Sequence, residues 1–472
     1  MSEETPVLSA GEILKATGGS PLRGGSEWLC RGLSIDTRTL RPGNLFVALR
    51  GERFDGHDYL RAAAERGASG FLIREDRLEK RETAVELPLI AVTDTLRALG
   101  DIASAWRRRF AVPLIAITGS CGKTTTKEML AAIVGLSRQA LVTEGNLNNQ
   151  IGLPLTLLRL QESYDAAIVE MGTSQPGEIA RLAAITAPDI GLITNIGPAH
   201  LEGLKSFAGV REEKGALFQF MNGLGTAILN HDDEAIGVLA RRWQGSRVTF
   251  GLSVGSDVTA RQIEGESPEG VRFRLVMAGS EVPIRLAVPG RHNIMNALAA
   301  AAAARALGMT KEEIAAGLGA FHSIPGRMEI RRLGNGAFMI MDTYNANPAS
   351  MRESLATLQT LGRKGKTIAI LGDMLELGEQ ADRWHEETGA VLARTGVARV
   401  FLKGPLSRST EAGALKEGFP QERISFFDDP AELIVPLRSF LKKDDWILLK
   451  GSRKMKMEQA AERIIATFDL KP

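Results

Sequence analysis

The stretch that most restricts what this chain can fold into lies at 113–125. An apolar run at 113–118 reads as a buried strand. Thr118-Gly119-Ser120-Cys121-Gly122-Lys123-Thr124-Thr125 then supplies a glycine turn, and a helix starts from Thr124. A strand, a glycine loop and a helix in that order bring backbone N–H groups and the positive end of a helix dipole to one point, which suits phosphate oxygens. In such a loop Lys123 binds the outer phosphates of ATP and the Thr124 hydroxyl ligates Mg²⁺. Gly119, Ser120, Cys121, Gly122, Lys123, Thr124 and Thr125 therefore form the candidate cradle. The usual pattern has a further glycine where this chain has Ile117, so the loop is a shortened variant.

With 472 residues the chain exceeds a single hydrophobic core, and its length implies roughly three domains. Residues 1–110 read as a separate α/β unit. It has short strands at 44–49 and 70–73, a helix at 59–66, and an amphipathic helix at about 95–110 that stops before Pro113. Residues 111–324 alternate strands (166–171, 190–194 and 226–229 follow the first) with helices at 178–184 and 210–221, the signature of a parallel sheet. A small β-rich insert follows, with strands at 271–276 and 282–288, and then a helix at about 292–307. Ile324-Pro325-Gly326 reads as a linker. Residues 325–472 restart the alternation, with strands at 338–342, 367–371, 400–402 and 446–450, as a smaller Rossmann-like doubly wound domain. The expected fold is α/β in three domains.

Composition narrows the partners. Hydrophobic residues at 44% and charged residues at 24% give a soluble globular balance. The formal net charge is +2 and no Lys/Arg block is present, which argues against a nucleic-acid partner. Residues 1–5 are acidic and polar, unlike a signal peptide. The longest apolar run, 297–304, is Ala-rich, short and followed by Arg305, so membrane insertion is not expected. Cys30 and Cys121 are the only cysteines, which excludes a disulfide framework and fits a reducing cytoplasm. A monomer is expected.

Other candidates sit where a parallel sheet gathers its ligands. Glu170 ends the strand in Ile168-Val169-Glu170-Met171-Gly172, and ligands bind beyond the carboxyl ends of such strands. That position offers Mg²⁺ a hard oxygen ligand, or else a structural cap for the next turn. His200, in Thr194-Asn195-Ile196-Gly197-Pro198-Ala199-His200, lies at the same edge, where a neutral imidazole ligates a second cation or serves structure alone. Lys214, within Arg211-Glu212-Glu213-Lys214-Gly215, reads by itself as a solvated helix face. Asn293 and Asn296 open the Ala-rich helix at helical spacing and suit either capping or recognition of an adenine edge. Asp342-Thr343-Tyr344-Asn345-Ala346-Asn347-Pro348 gathers more polar groups at a strand end than a plain turn needs.

Taken together these segments resemble the Mur ligase family of peptidoglycan precursor synthesis, from about Ser34 to the C-terminal helix. Gly145-Asn146-Leu147-Asn148-Asn149 and Ile151-Gly152-Leu153-Pro154 match the segment after the phosphate loop, while Cys121 stands where asparagine is common. The resemblance implies a catalytic set of Lys123, Glu170, His200 and Lys214. Mg²⁺ would be held by Thr124, Glu170 and His200, and Lys214 would be carbamylated to help hold a second ion. Asn293, Asn296, Arg327 and Asp342 match nucleotide-contacting positions. Ser34-Ile35-Asp36-Thr37-Arg38 and the stretches 42–49 and 51–57 resemble the family's UDP-sugar domain, which implies that Ser34, Asp36, Thr37 and Arg38 bind substrate. Asn148, Tyr344, Asn345 and Asn347 are the remaining substrate candidates.

Three segments, 342–348, Leu371-Gly372-Asp373-Met374-Leu375-Glu376-Leu377-Gly378 and Lys450-Gly451-Ser452-Arg453, favour one member over its siblings. That member adds D-alanyl-D-alanine to UDP-N-acetylmuramoyl-tripeptide with ATP and Mg²⁺, through an acyl phosphate, in the bacterial cytoplasm. Thr343 replaces a common serine and keeps the hydroxyl. The alternatives are another Mur-type ligase, a folate polyglutamate ligase, or a non-catalytic ATP-driven switch. The switch leaves Glu170, His200 and the polar strand end unexplained.

The loop's place between strand and helix generates a first prediction. Lys123→Ala lowers turnover by on the order of 10²-fold or more while its thermal melt stays close to that of the parent; steady-state ADP release and a melting curve check both parts.

Overall fold

The structure is a computed structural model and describes residues 6–80, 86–221, 223 and 225–469. The N-terminal stretch 1–5 lies outside the described residues.

The first unit is built on a five-stranded sheet. Its order is Ser20–Arg23, Leu89–Val92, Gly70–Arg74, Leu45–Val47, Leu33–Ser34, parallel except at the edge strand Ser20–Arg23. The helix expected at 59–66 is a 3-10 turn, Gly56–Tyr59, that runs into Leu60–Glu65. Helix Thr95–Arg107 starts where the Asp94 carboxylate accepts the N–H groups of Leu96 and Arg97. It stops short of 110, and the Arg107 guanidinium turns back to donate to the Phe110 carbonyl. Leu99, Ile102 and Ala103 on this helix share one core with Leu114, Ala116, Ala167 and Val169. The first unit thus packs against one face of the central sheet.

That central sheet has nine strands, ordered Ser280–Leu286, Gly270–Met277, Val258–Ser267, Ser246–Phe250, Thr226–Asn230, Ile190–Ile193, Leu114–Thr118, Ala166–Glu170, Ala140–Val142. The β-rich insert expected after the parallel strands is the antiparallel edge of this same sheet, joined through the Phe250–Val258 pairing. Side chains alternate across a strand. While Leu114 and Ala116 face the first unit, Ile115 and Ile117 face helices Lys123–Val134, Arg291–Ala306 and Lys311–Ala320. The run Ala297–Ala304 is buried on every side, the mark of a helix inside a core. Among the described residues no helix is long and apolar enough to cross a membrane.

The last unit is a six-stranded sheet, ordered Glu329–Arg332, Phe338–Asp342, Trp446–Lys450, Thr367–Gly372, Arg399–Lys403, Ile424–Phe426, in which only the edge strand Glu329–Arg332 pairs antiparallel.

The phosphate-loop helix Lys123–Val134 has little room behind it. A Cβ on Gly317, in helix Lys311–Ala320, would run into the backbone of Ile133. Gly317→Ala therefore destabilises the chain despite alanine's better helix propensity, by about 1–3 kcal/mol, the usual cost of overpacking. Urea unfolding of parent and variant measures it.

Candidate active site

Register builds the site. Glu170 pairs with Ile117, and Ile193 pairs with Thr118, so three parallel strands end at one level. The loops that leave them meet beyond the carboxyl edge, at the switch point of the strand order. The phosphate loop is knitted to the turn after Ile193. Ser120 N–H donates to the Asn195 carbonyl and Cys121 N–H to Asn195 Oδ1. The Cys121 carbonyl accepts from Thr194 Oγ1 (2.6 Å) and Asn195 Nδ2 (3.1 Å). Gly119 and Gly122 have φ of 150° and 79°; a Cβ would strike the Thr194 hydroxyl at the first and the Asn296 amide at the second.

Thr124 and Glu170 are both buried and in contact. Thr124 Oγ1 donates to Glu170 Oε2 at 2.8 Å, and Asn148 Nδ2 donates to Oε1 at 2.8 Å. Asn148, expected to bind substrate, is thereby committed to Glu170. A hydroxyl and a carboxylate of this kind fit Mg²⁺, which takes one or two protein oxygens and completes its shell with phosphate and water. Among the described residues no three His, Cys, Asp or Glu side chains converge as a metal-binding group.

Three cations face the loop. Lys123 is half-buried, not fully exposed, and its ammonium donates back to the Gly119 carbonyl at 2.8 Å. Burial pushes its pKa below the ordinary lysine range, Glu170 opposes this, and Arg327 depresses it further. Lys214 contradicts the solvated helix face expected from its neighbours. It is 1% exposed within helix Phe207–Gln219. The reason is Glu213, whose carboxylate accepts the N–H groups of Gly177 and Ile179 and the Thr173 hydroxyl, drawing that face of the helix inward. Burial, and then the Lys123 ammonium, lower the Lys214 pKa to about 7 against the pull of Cys121 and Glu213. Arg327, just past the linker, lies 4.0 Å over the Tyr344 ring.

The last unit reaches into this edge. Asn347 caps helix Pro348–Leu361 and also lies 3.1–3.2 Å from Cys121 Sγ, with its Nδ2 donating to the Ser120 carbonyl at 3.4 Å. Asp342 is bonded by Lys450 and by Ser354 Oγ (2.7 Å). Burial pushes this carboxyl up, but Lys450 and Ser354 outweigh it and hold it below the usual range. Lys450 also donates to the Asn345 carbonyl. His200, at φ 55°, holds Glu376 Oε2 at 2.6 Å through Nδ1, and the His200 bond keeps that carboxyl below its usual range. The Nδ1 contact with a carboxylate leaves Nε2 free of that partner, the arrangement seen in metal-ligating histidines.

The remaining candidates divide. Asn296 abuts Gly122, receives the Thr126 hydroxyl at Oδ1, and donates to Asn293 Oδ1; Asn293 donates to the Pro289 carbonyl. Both amides buttress the loop. Thr125 lies half-buried in the first turn of the phosphate-loop helix. Ser34, Asp36, Thr37 and Arg38 form a separate turn in the first unit, where Ser34 Oγ donates to the Asp36 carbonyl and Arg38 pairs with Asp36 at 2.6 Å. Arg38 holds the Asp36 carboxyl down to about 2. Sequence reasoning passed over Asn195, which secures the loop, although its place two residues after a strand end was a usable signal.

Family models match this architecture along most of the chain. They are described as "Mur ligase family, catalytic domain" at residues 30–107, "Mur ligase middle domain" at 117–304 and "Mur ligase, glutamate ligase domain" at 326–453. The chain belongs to the Mur ligase family. Within it, the chain is similar to the UDP-N-acetylmuramoyl-tripeptide–D-alanyl-D-alanine ligase of Bacillus subtilis, at 36% identity over 97% of this chain and 98% of that protein. Among solved structures it is similar to MurF from Acinetobacter baumannii, with a TM-score of 0.89 at 30% identity, covering 98% of this chain and 100% of the other. It is also similar to the MurF ligase of Thermotoga maritima in complex with ADP, with a TM-score of 0.83 at 27% identity, covering 93% and 97%.

The buried lysine gives a prediction with a sign. Its folded pKa of about 7 lies below the ordinary 10.5, so between those values the unfolded chain binds the extra proton and stability rises with pH. In CO₂-free buffer without nucleotide, Lys214→Met melts higher than the parent at pH 7, and the gap narrows towards pH 10. Paired thermal melts across that range decide it.

Proposed function

We propose that this chain joins D-alanyl-D-alanine to the terminal carboxylate of UDP-N-acetylmuramoyl-tripeptide, using ATP. The observation that carries the reading is the meeting of Lys123, Lys214 and Arg327 above a Thr124–Glu170 pair, covered by the Asn347 turn of the last unit. Cations that repel one another in a half-buried cleft are stabilised by a polyanion such as a triphosphate. The function of the similar ligases, whose likeness runs over nearly the whole chain, supports these substrates.

In this reading the tripeptide carboxylate attacks the γ-phosphate, ADP leaves, and an acyl phosphate forms. Lys123 and Arg327 offset the repulsion between two anions and stabilise charge on the transferring group. The amine of D-alanyl-D-alanine then attacks the acyl carbon, and phosphate departs with its oxygen. Thr124, Glu170 and His200 would hold Mg²⁺, which when bound supplies further charge neutralisation at the phosphates. Lys214 suits carbamylation because an amine near neutrality at pH 7 is the form that adds to CO₂. A carbamate there would replace the cation that opposes Lys123 with an anion.

The Asn347–Ser120 and His200–Glu376 contacts bridge the central and last units, and in this reading closure of the two units keeps water from an acyl phosphate. The first unit, about residues 1–110, binds the UDP end through the 34–38 turn. The last, 325–472, receives D-alanyl-D-alanine beside Tyr344 and Asn345. The UDP-linked tripeptide is an anion and D-alanyl-D-alanine a zwitterion, both water-soluble compounds of the bacterial cytoplasm, where the chain works as a monomer.

Product analysis tests the reaction. With UDP-N-acetylmuramoyl-tripeptide and ATP, addition of D-alanyl-D-alanine gives a UDP-linked pentapeptide by mass spectrometry and raises ADP release. ADP release indifferent to the dipeptide, with no pentapeptide formed, sinks the ligase reading and leaves the nucleotide-driven switch.

A further inference from the structure

Lys127 has no part in the chemistry above, yet it is 0% exposed, among the largest fully buried side chains of the chain. It sits one turn beyond Lys123 on the phosphate-loop helix and so points along the same face. A buried ammonium is costly unless it is paired and hydrogen-bonded. Here Glu128 Oε1 lies at 2.6 Å, and the ammonium donates to the carbonyl of Thr143.

Thr143 is the residue just past strand Ala140–Val142, and it too is buried. Its N–H and its hydroxyl are both tied to strand Ala166–Glu170. Its N–H donates to the Ile168 carbonyl at 3.0 Å. Its hydroxyl accepts the N–H of Glu170 at 3.0 Å. The loop that begins at Thr143 carries Asn148, whose amide holds Glu170 Oε1 and whose carbonyl accepts the N–H of Gly172. The Lys127 ammonium therefore anchors the common origin of two restraints on Glu170, one through its backbone and one through its carboxylate.

We propose that Lys127 is a positioning residue for the metal site. It fixes the Thr143 end of the edge strand so that Glu170 presents its carboxylate beside Thr124. The proposal rests on the reading of Glu170 as a Mg²⁺ ligand. A plain structural role, tying helix to strand, is the alternative, and it affects stability without selectively affecting metal affinity.

The experiment uses the full chain saturated with ADP and measures Mn²⁺ binding by electron paramagnetic resonance, which needs no turnover. Lys127→Met weakens Mn²⁺ binding by about 10–100-fold, the usual effect of losing an outer partner of a metal ligand. Binding of ADP in excess EDTA stays unchanged. Thr143→Val, which removes only the hydroxyl that receives the Glu170 N–H, shifts Mn²⁺ affinity in the same direction and serves if the first variant does not fold. Unchanged Mn²⁺ affinity in a folded variant, or an equal loss of metal-free ADP binding, overturns the proposal. Glu170→Ala is the control: if it binds Mn²⁺ like the parent, the reading of Glu170 is what fails.

Discussion

The candidate phosphate site depends on three parallel strands that end at the same level. The pairings Glu170–Ile117 and Ile193–Thr118 fix the roots of three loops within reach of one another. A slip of one residue in the first of these pairings would turn Glu170 to the opposite face of the sheet. The close Thr124–Glu170 bond and the ties from Asn195 to the phosphate loop follow from that alignment. The two faces of the sheet are then filled by different partners, the first unit on one and three helices on the other.

On this frame the electrostatics are arranged for a guest. Arg327 raises the cost of the Lys123 charge, and Lys123 raises that of Lys214. Two carboxylates at the same edge are paired instead, Asp342 by Lys450 and Ser354, and Glu376 by His200. The contrast is between charges paired within the chain and like charges brought together.

Much of this was legible in the sequence because the relevant residues sit at strand ends, where pattern and position agree. The phosphate loop, Glu170 and the polar run from Asp342 are of that kind. Lys214 was not, since Glu212, Glu213 and Lys214 in succession look solvated, and only the N–H groups of Gly177 and Ile179 explain why two of the three lie inside. Strand Val258–Ser267 escaped notice because Gln262 adopts φ 47° and the pairing shifts register between Arg261 and Glu264, which breaks the alternation. Helix Lys311–Ala320 carried a readable start, the reciprocal Thr310–Glu313 cap. The edge strands Glu329–Arg332 and Ile424–Phe426 are too short to show a period.

The unbroken stretch of six alanines at 299–304 in helix Arg291–Ala306 has a consequence for heat and motion. Alanine has no rotamers to surrender, so ordering this segment costs backbone entropy alone. Its neighbours approach closely enough to leave it fully enclosed, yet no side chain within the run can hop between conformers. The strut beneath Gly122 and the phosphate loop is accordingly quiet on the timescale of side-chain motion, and warming gives it few new states to visit.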